Sequence, residues 1–285
     1  MGFGEFGEQA RQALASRLPA VMQQIREGTL PQARAVWHPY GYIALRVALI
    51  PEAKATLVLH VWPRGLRGGR VGLSPLHCHS FNLYSRVLAG IYRDRMFRVI
   101  ANGPASIIEQ VAGLREPLRS ECVVRVPRTD GSLATCVVGE LYHLPRRDGS
   151  GPSSGYAVAD QLVTTHTWSM ARAIGRGREL EPGDTHAIPV HEFHAASIPL
   201  DSFCATLSVR QVVVGADDRL IGRPNLTLGM LPHRQFIDPR HFSIAMAQLR
   251  AATASVRAPI ATFGVRPGTG ERPSTCDALG TGLGV

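Results

Sequence analysis

Short apolar runs, each closed by a turn containing glycine or proline, recur along this chain from Trp37 to about residue 214. Examples are the β-like runs at 41–50, 55–62, 76–84 and 85–94. The 29 glycines and 20 prolines supply many turns, which suits short strands better than long helices. About ten such runs, with helical patterns mostly near the ends, predict a closed or sandwiched β architecture.

Helical periodicity is clearest near the two ends of the chain. Residues 5–26 place apolar side chains at three- and four-residue steps, and 239–253 read as a second helix. A short helix is also predicted at 105–114. The tail from Pro267 is rich in Gly, Pro, Ser and Thr, and we expect it to be disordered. The resulting division is an N-terminal helical segment at 1–35, a β-barrel domain at 36–222, a C-terminal helical extension at 223–266 and a tail at 267–285.

Composition limits the partners and the compartment. The chain carries 31 Lys and Arg against 22 Asp and Glu, but the arginines are spread along it instead of clustering on one stripe. This predicts no nucleic-acid partner and is compatible with an anionic small molecule. Five cysteines without a CxxC spacing argue against a zinc ribbon or a thioredoxin-like motif. Because no signal peptide or long apolar run is visible, we expect a cytoplasmic protein with no membrane partner.

A histidine pair, His77 and His79, lies inside one of the β-like runs. On a strand, side chains two residues apart face the same side, roughly 6.5–7 Å apart along the chain. Two such imidazoles can converge on one ion at the distances of about 2.0–2.2 Å that metal–nitrogen bonds need. Gly90 follows where a turn should end the next run.

A third histidine, His194, comes much later, after Gly183, a short strand and a turn at Pro189. His186 and His191 are alternatives for the third ligand. His191 lies three residues before His194, so strand alternation places the two on opposite faces. His186 shares the parity of His194, but the turn at Pro189 breaks that register.

Together these two segments resemble the two sequence motifs of the cupin superfamily. The motif positions are filled, by count, by His77, His79, Gly90, Gly183, Pro189 and His194. The resemblance covers residues 40–215 approximately and implies an all-β fold, a cupin double-stranded β-helix barrel with an N-terminal helix and a C-terminal helical extension. Three positions depart from the family pattern. Leu83 stands at the carboxylate ligand, His191 stands at a glycine of the second motif, and Ile198 stands at its asparagine.

An apolar leucine cannot bind a metal, so the ligand set that the resemblance implies is His77, His79 and His194. Similar three-histidine cupins include thiol dioxygenases and some diketone-cleaving oxygenases. The implied activity is a mononuclear non-haem iron oxygenase, in which a small substrate and O₂ bind directly to Fe(II). Imidazole ligands do not choose the metal, so Zn, Ni, Cu and Mn remain alternatives.

Other functions also fit the sequence. A non-catalytic sensor or scaffold and a metal-assisted isomerase or lyase are the alternatives to an oxygenase, and a homodimer is left open. No GxGxxG after a strand and no P-loop occur, so no organic cofactor is expected.

Four further residues are candidate catalytic residues. Arg86, Tyr142 and Arg210 lie on predicted barrel strands, and Glu192 lies close to the third histidine. An arginine that points inward could pair bidentately with a substrate carboxylate, whereas an outward one would be an ordinary surface residue. Glu192 could support a metal ligand from behind, or lie in solvent at the start of a strand.

Overall fold

The computed structural model describes residues 2–38, 40–66, 76–101, 122–127, 133–144, 163–222 and 236–254. The helix predicted at 105–114 and the tail predicted from Pro267 lie outside these ranges. Within them, the helices are α1 (Phe3–Glu27) and α2 (Pro239–Ala254). The strands are β1 (Ala35–Trp37), β2 (Ile43–Ile50), β3 (Ala55–Trp62), β4 (His77–Cys78), β5 (Phe81–Gly90), β6 (Tyr92–Ala101), β7 (Cys122–Pro127), β8 (Leu133–Leu144), β9 (Val163–Leu180), β10 (Thr185–Ile188), β11 (Phe193–Ala196), β12 (Cys204–Val212) and β13 (Asp218–Gly222).

Both predicted end helices are present, because each carries one apolar stripe. In α1 the side chains of Phe6, Ala10 and Leu14 recur at three- and four-residue steps and are buried in the largest core cluster. The helix ends at Gly28, whose φ of 71° is the left-handed conformation that favours glycine. Helix α2 buries Leu249 in the same cluster, so both helices cover one sheet.

The first sheet has six antiparallel strands in the order β1-β2-β3-β12-β5-β10. Because side chains alternate along a strand, its two faces differ in chemistry. The outward face carries Leu59 and Leu207, which are buried in the cluster that includes α1 and α2. The inward face carries polar groups that bond across strands, as in the 2.7 Å contact between the hydroxyls of Ser85 and Ser208.

The second sheet has the strand order β13-β4-β11-β6-β9-β8-β7. Because β13 also pairs with β8, six of these strands close into a ring. A separate apolar cluster that includes Cys78, Phe97 and Phe193 joins residues from its strands. The alternate residues of β4, β11 and β6 face the first sheet. Tyr92 on β6, for example, stacks on His186 of β10 with ring centroids 4.8 Å apart.

The described residues therefore have the predicted all-β architecture with an N-terminal helix, and polar side chains line part of the space between the two sheets. Some predicted strand boundaries are wrong. The run at 76–84 is interrupted between β4 and β5, and β5 continues through Tyr84 and Ser85, where no glycine or proline interrupts it, and ends at Gly90 with φ of 74°. Among the described residues, neither helix is long and apolar enough to cross a membrane.

Candidate metal centre

The structure brings together the three histidines selected from the sequence. His77 on β4 and His194 on β11 are direct cross-strand partners, and His79 follows β4 immediately. One ring nitrogen from each lies within 4.8 Å of the others, and Nε2 of His194 is 3.0 Å from Nε2 of His79. All three side chains are buried. They form one compact group of nitrogen donors between the two sheets.

The turn before β11 explains why His194 and neither of its sequence alternatives joins this group. His191 occupies that turn with φ of 65°, and its side chain is exposed. Its backbone N–H donates to the carbonyl of His79 at 3.0 Å, which ties the turn to the histidine pair. His186 faces the interior from β10 but lies outside the three-histidine group.

A buried carboxylate orients His194 from behind. Asp94 Oδ1 is 3.1 Å from Nδ1 of His194, and the other carboxylate oxygen of Asp94 accepts a hydrogen bond from Arg178. Burial opposes ionisation of Asp94, but the hydrogen bond to His194 and the charges of His194 and Arg178 outweigh it, and the pKa falls to about 2. An ionised Asp94 accepts the Nδ1 proton of His194 and leaves Nε2 free to bind an ion. Sequence reasoning missed Asp94.

The three histidines fit a single divalent ion. Burial and the charges of His77 and His194 hold the pKa of His79 well below its ordinary value, so its imidazole is neutral and can donate a lone pair. Two nitrogens that are each about 2.1 Å from one ion lie about 3.0 Å apart when they subtend about 90° at it. The observed 3.0 Å separation between the Nε2 atoms of His79 and His194 has this value.

No carboxylate belongs to the group within the part of the chain that the structure describes. Leu83, which the motif resemblance aligned with an acidic ligand, is buried and lies two residues beyond Phe81 on the same face of β5. The ring of Phe81 stacks on His79 with centroids 4.4 Å apart. This side of the centre is therefore apolar.

The structure places one of the two candidate arginines at the centre and the other away from it. Arg210 faces inward on β12, where its guanidinium contacts Nε2 of His60 and lies over the ring of Phe81. Arg86 follows the inward-facing Ser85 on β5, so its side chain leaves the opposite face of the sheet.

The remaining two candidates lie farther from the histidines. Tyr142 is buried and its hydroxyl donates to Glu140 at 2.9 Å. It pairs with Leu220, which pairs with His77, so Tyr142 shares the face of His77 two strands away. Glu192 lies in the turn before β11, and its side chain is exposed, so it points away from the interior.

His60 is a polar member of the interior that sequence reasoning missed. Its Nδ1 lies 3.3 Å from Thr206 Oγ1 and 3.2 Å from Ser208 Oγ. Because arginine can only donate, Nε2 of His60 must accept from Arg210, and Nδ1 carries the proton. The sequence signal was a single histidine in a mostly apolar strand, whose side-chain partners Thr206 and Ser208 lie more than a hundred residues away.

No protein-family model matches the chain, and no curated protein matches it. Among solved structures, the chain is similar to the L-ribose isomerase of Cellulomonas parahominis determined without ligand. The identity is 13%, over 86% of this chain and 96% of that one, with a TM-score of 0.27. At that TM-score the likeness carries no argument about site or reaction.

Proposed function

We propose that this chain is a metal-dependent dioxygenase that acts on a small carboxylate. The observation that supports it most strongly is a buried group of three histidines that contains no carboxylate among the described residues. Neutral ligands leave the full charge of a divalent ion uncompensated, so the centre attracts an anionic substrate. Three protein ligands also leave coordination positions open.

His77, His79 and His194 would hold the ion, and Asp94 would keep His194 in the correct tautomer. When bound, a redox-active ion such as Fe(II) supplies open positions for substrate and dioxygen, together with the electrons that dioxygen activation needs. If both oxygen atoms enter the product, the overall reaction balances without a reductant. This agrees with the lack of a dinucleotide- or phosphate-binding motif in the sequence.

Arg210 is the residue we assign to the substrate carboxylate. A guanidinium binds a carboxylate through two parallel hydrogen bonds, which fixes its orientation as well as its position. His60 accepts from Arg210, and Thr206 and Ser208 lie at its other nitrogen, so the guanidinium is held in place before substrate arrives. Phe81 and Leu83 provide the apolar side of the cavity and help to exclude water.

Oxygen uptake tests this proposal. Metal-free protein is loaded with Fe(II) or with Zn(II) and supplied with a panel of small carboxylates, and product masses are measured. The iron form should consume O₂ and add both oxygen atoms to one substrate, whereas the redox-silent zinc form should not turn over. Arg210→Met should raise KM for that substrate about tenfold or more, while the matched variant Arg86→Met should leave KM unchanged. Equal activity of the iron and zinc forms would exclude an oxygenase.

A metal-assisted isomerase or lyase is the second candidate. The specific observation in its favour is the buried pair of Tyr142 and Glu140, joined by a 2.9 Å hydrogen bond, which could exchange protons with a substrate. In that case zinc should support turnover as well as iron does, O₂ should not be consumed, and Tyr142→Phe should lower kcat.

A further inference from the structure

One buried imidazole in the barrel is used neither by the metal centre nor by the core. His186 is 6% exposed, and neither of its ring nitrogens has a hydrogen-bond partner among the described residues. Its ring stacks on Tyr92 with centroids 4.8 Å apart and planes 17° apart. An unpaired buried polar atom costs about 1–3 kcal/mol. A phenyl ring would keep the same stacking without that cost, so the two nitrogens need another explanation.

His186 lies in the same space as the metal centre. It is the direct partner of Ser85 on β5, whose hydroxyl bonds Ser208 on β12, so all three side chains face the interior. Arg210 lies two residues beyond Ser208 on the same face of β12. Strands β10 and β12 flank β5, and two strand spacings correspond to roughly 10 Å. Arg210 and His186 therefore lie on either side of β5 on the inward face of the first sheet, and their separation is comparable to the length of a small metabolite.

The metal centre lies on the sheet that faces His186, because Asp94, which contacts His194, lies two residues beyond Tyr92 on β6. Burial is the main reason that the pKa of His186 falls to about 3. The charge of Asp94 raises this pKa, and the charges of Arg178 and His194 lower it further. His186 is therefore neutral at physiological pH and offers one N–H donor and one nitrogen acceptor. A hydroxyl group, which both donates and accepts, can satisfy both functions, whereas an ether, an ammonium or a carboxylate can satisfy only one.

Building on the proposed function, we propose that His186 binds a second polar group of the substrate. The substrate class is then a small carboxylate that carries a hydroxyl group a few carbons from its carboxylate. Arg210 binds the charged end, His186 binds the hydroxyl end, and the three histidines face the bond or atom between them.

Binding of paired probes tests this assignment without turnover. Protein loaded with cobalt(II) is titrated, by calorimetry and by its visible spectrum, with propionate, butyrate and pentanoate and with their terminally hydroxylated counterparts. The wild type should bind the hydroxylated member of at least one pair about tenfold more tightly, which corresponds to one hydrogen bond. His186→Phe should abolish this preference while cobalt content and binding of the parent acid are unchanged. His186→Asn, which keeps a donor and an acceptor, should retain part of it, and His241→Phe, at a half-buried position on α2, serves as the control.

The outcomes separate the two proposals. If the wild type binds carboxylates but shows no preference for the hydroxylated member of any pair, the role of His186 is overturned and the proposed function still stands. The same conclusion follows if the preference survives in His186→Phe. If no carboxylate binds the cobalt form, the anion-binding function fails and this inference fails with it. If His186→Phe does not fold, His186→Leu removes the same two nitrogens with a smaller side chain.

Discussion

Individual side chains determine whether an ion can be held between the two sheets. The ring nitrogens of His77, His79 and His194 come within 4.8 Å of one another, no carboxylate among the described residues joins them, and Asp94 fixes the tautomer of His194 from behind. A residue that hydrogen-bonds to a metal ligand fixes the orientation and tautomer of that ligand. Losing such a residue typically lowers metal affinity about 10- to 100-fold.

We therefore expect a graded response in metal content. His77→Ala, His79→Ala and His194→Ala should each lose most of the bound metal because each removes a ligand. Asp94→Asn should keep the site but weaken its affinity about 10- to 100-fold. Metal analysis of the purified variants and competition with a chelator measure both effects. His191→Ala is the matched control, since this exposed side chain lies outside the group, and full metal content in His194→Ala would refute the ligand assignment.

The backbone of His191 makes a separate prediction. A φ of 65° is the left-handed conformation, which costs a residue with a Cβ about 1–2 kcal/mol. His191→Gly should relieve this strain and stabilise the protein by about 0.5–1 kcal/mol, with unchanged metal content, because the exposed side chain contributes little. Urea unfolding measures the change. His191→Val, which is β-branched, should instead destabilise the protein, and a stabilising valine would show that the turn is not strained.

At the scale of elements, the connection between β5 and β6 packs closely against the start of β12. Gly90 ends β5 with φ of 74°, and a Cβ at this position would overlap the backbone carbonyl of Phe203. Phe203 directly precedes β12, whose first residue Cys204 pairs with Gly90. The glycine of the first motif is thus required both by its conformation and by the close approach of a neighbouring strand.

Gly90→Ala should therefore destabilise the protein by about 3 kcal/mol or more, since strain and overlap add. Gly175→Ala is the matched control: its φ of 62° is similar, but nothing lies within 4 Å of the added carbon. The control should cost only the conformational part, about 1–2 kcal/mol. Thermal or urea unfolding compares the two variants. Equal losses would mean that β12 moves aside at no cost and that the close approach is unimportant.

The same elements show how much the sequence could predict. The three ligands were predictable because each sits in a local pattern, an alternating pair or a glycine–proline turn, that can be counted along the chain. Asp94, His60 and His186 were not, because their roles depend on pairing across strands. Asp94 meets its histidine 100 residues away, and His60 meets Thr206 146 residues away. The candidate residues Arg86 and Glu192 depended on strand faces and turn geometry that the sequence did not specify.

At the scale of the whole molecule, one apolar cluster joins the helices to the first sheet, another joins strands of the second sheet, and a third, which includes Val58, Val87 and Tyr92, joins the two sheets. The space between the sheets also holds buried histidines and Asp94. Buried ionisable groups make the stability of a fold depend on pH, because the folded and unfolded chains bind different numbers of protons. The interior should therefore be the main source of acid sensitivity in the metal-free protein.

His186 allows this sensitivity to be measured at one position. Its folded pKa is about 3 against an ordinary value of 6.5, so between these values the unfolded chain holds a proton that the folded chain does not. The penalty is absent above pH 7 and grows as pH falls below 6.5, by up to about 1.4 kcal/mol per pH unit. His186→Phe removes this penalty, so its advantage in free energy of unfolding over the wild type should increase by about 2 kcal/mol between pH 7.5 and pH 5. Urea unfolding of both metal-free proteins across this range tests it, since both carry the same other titrating groups. Parallel curves would mean that His186 is protonated in the folded barrel, and a charged imidazole could not offer an acceptor to a substrate hydroxyl.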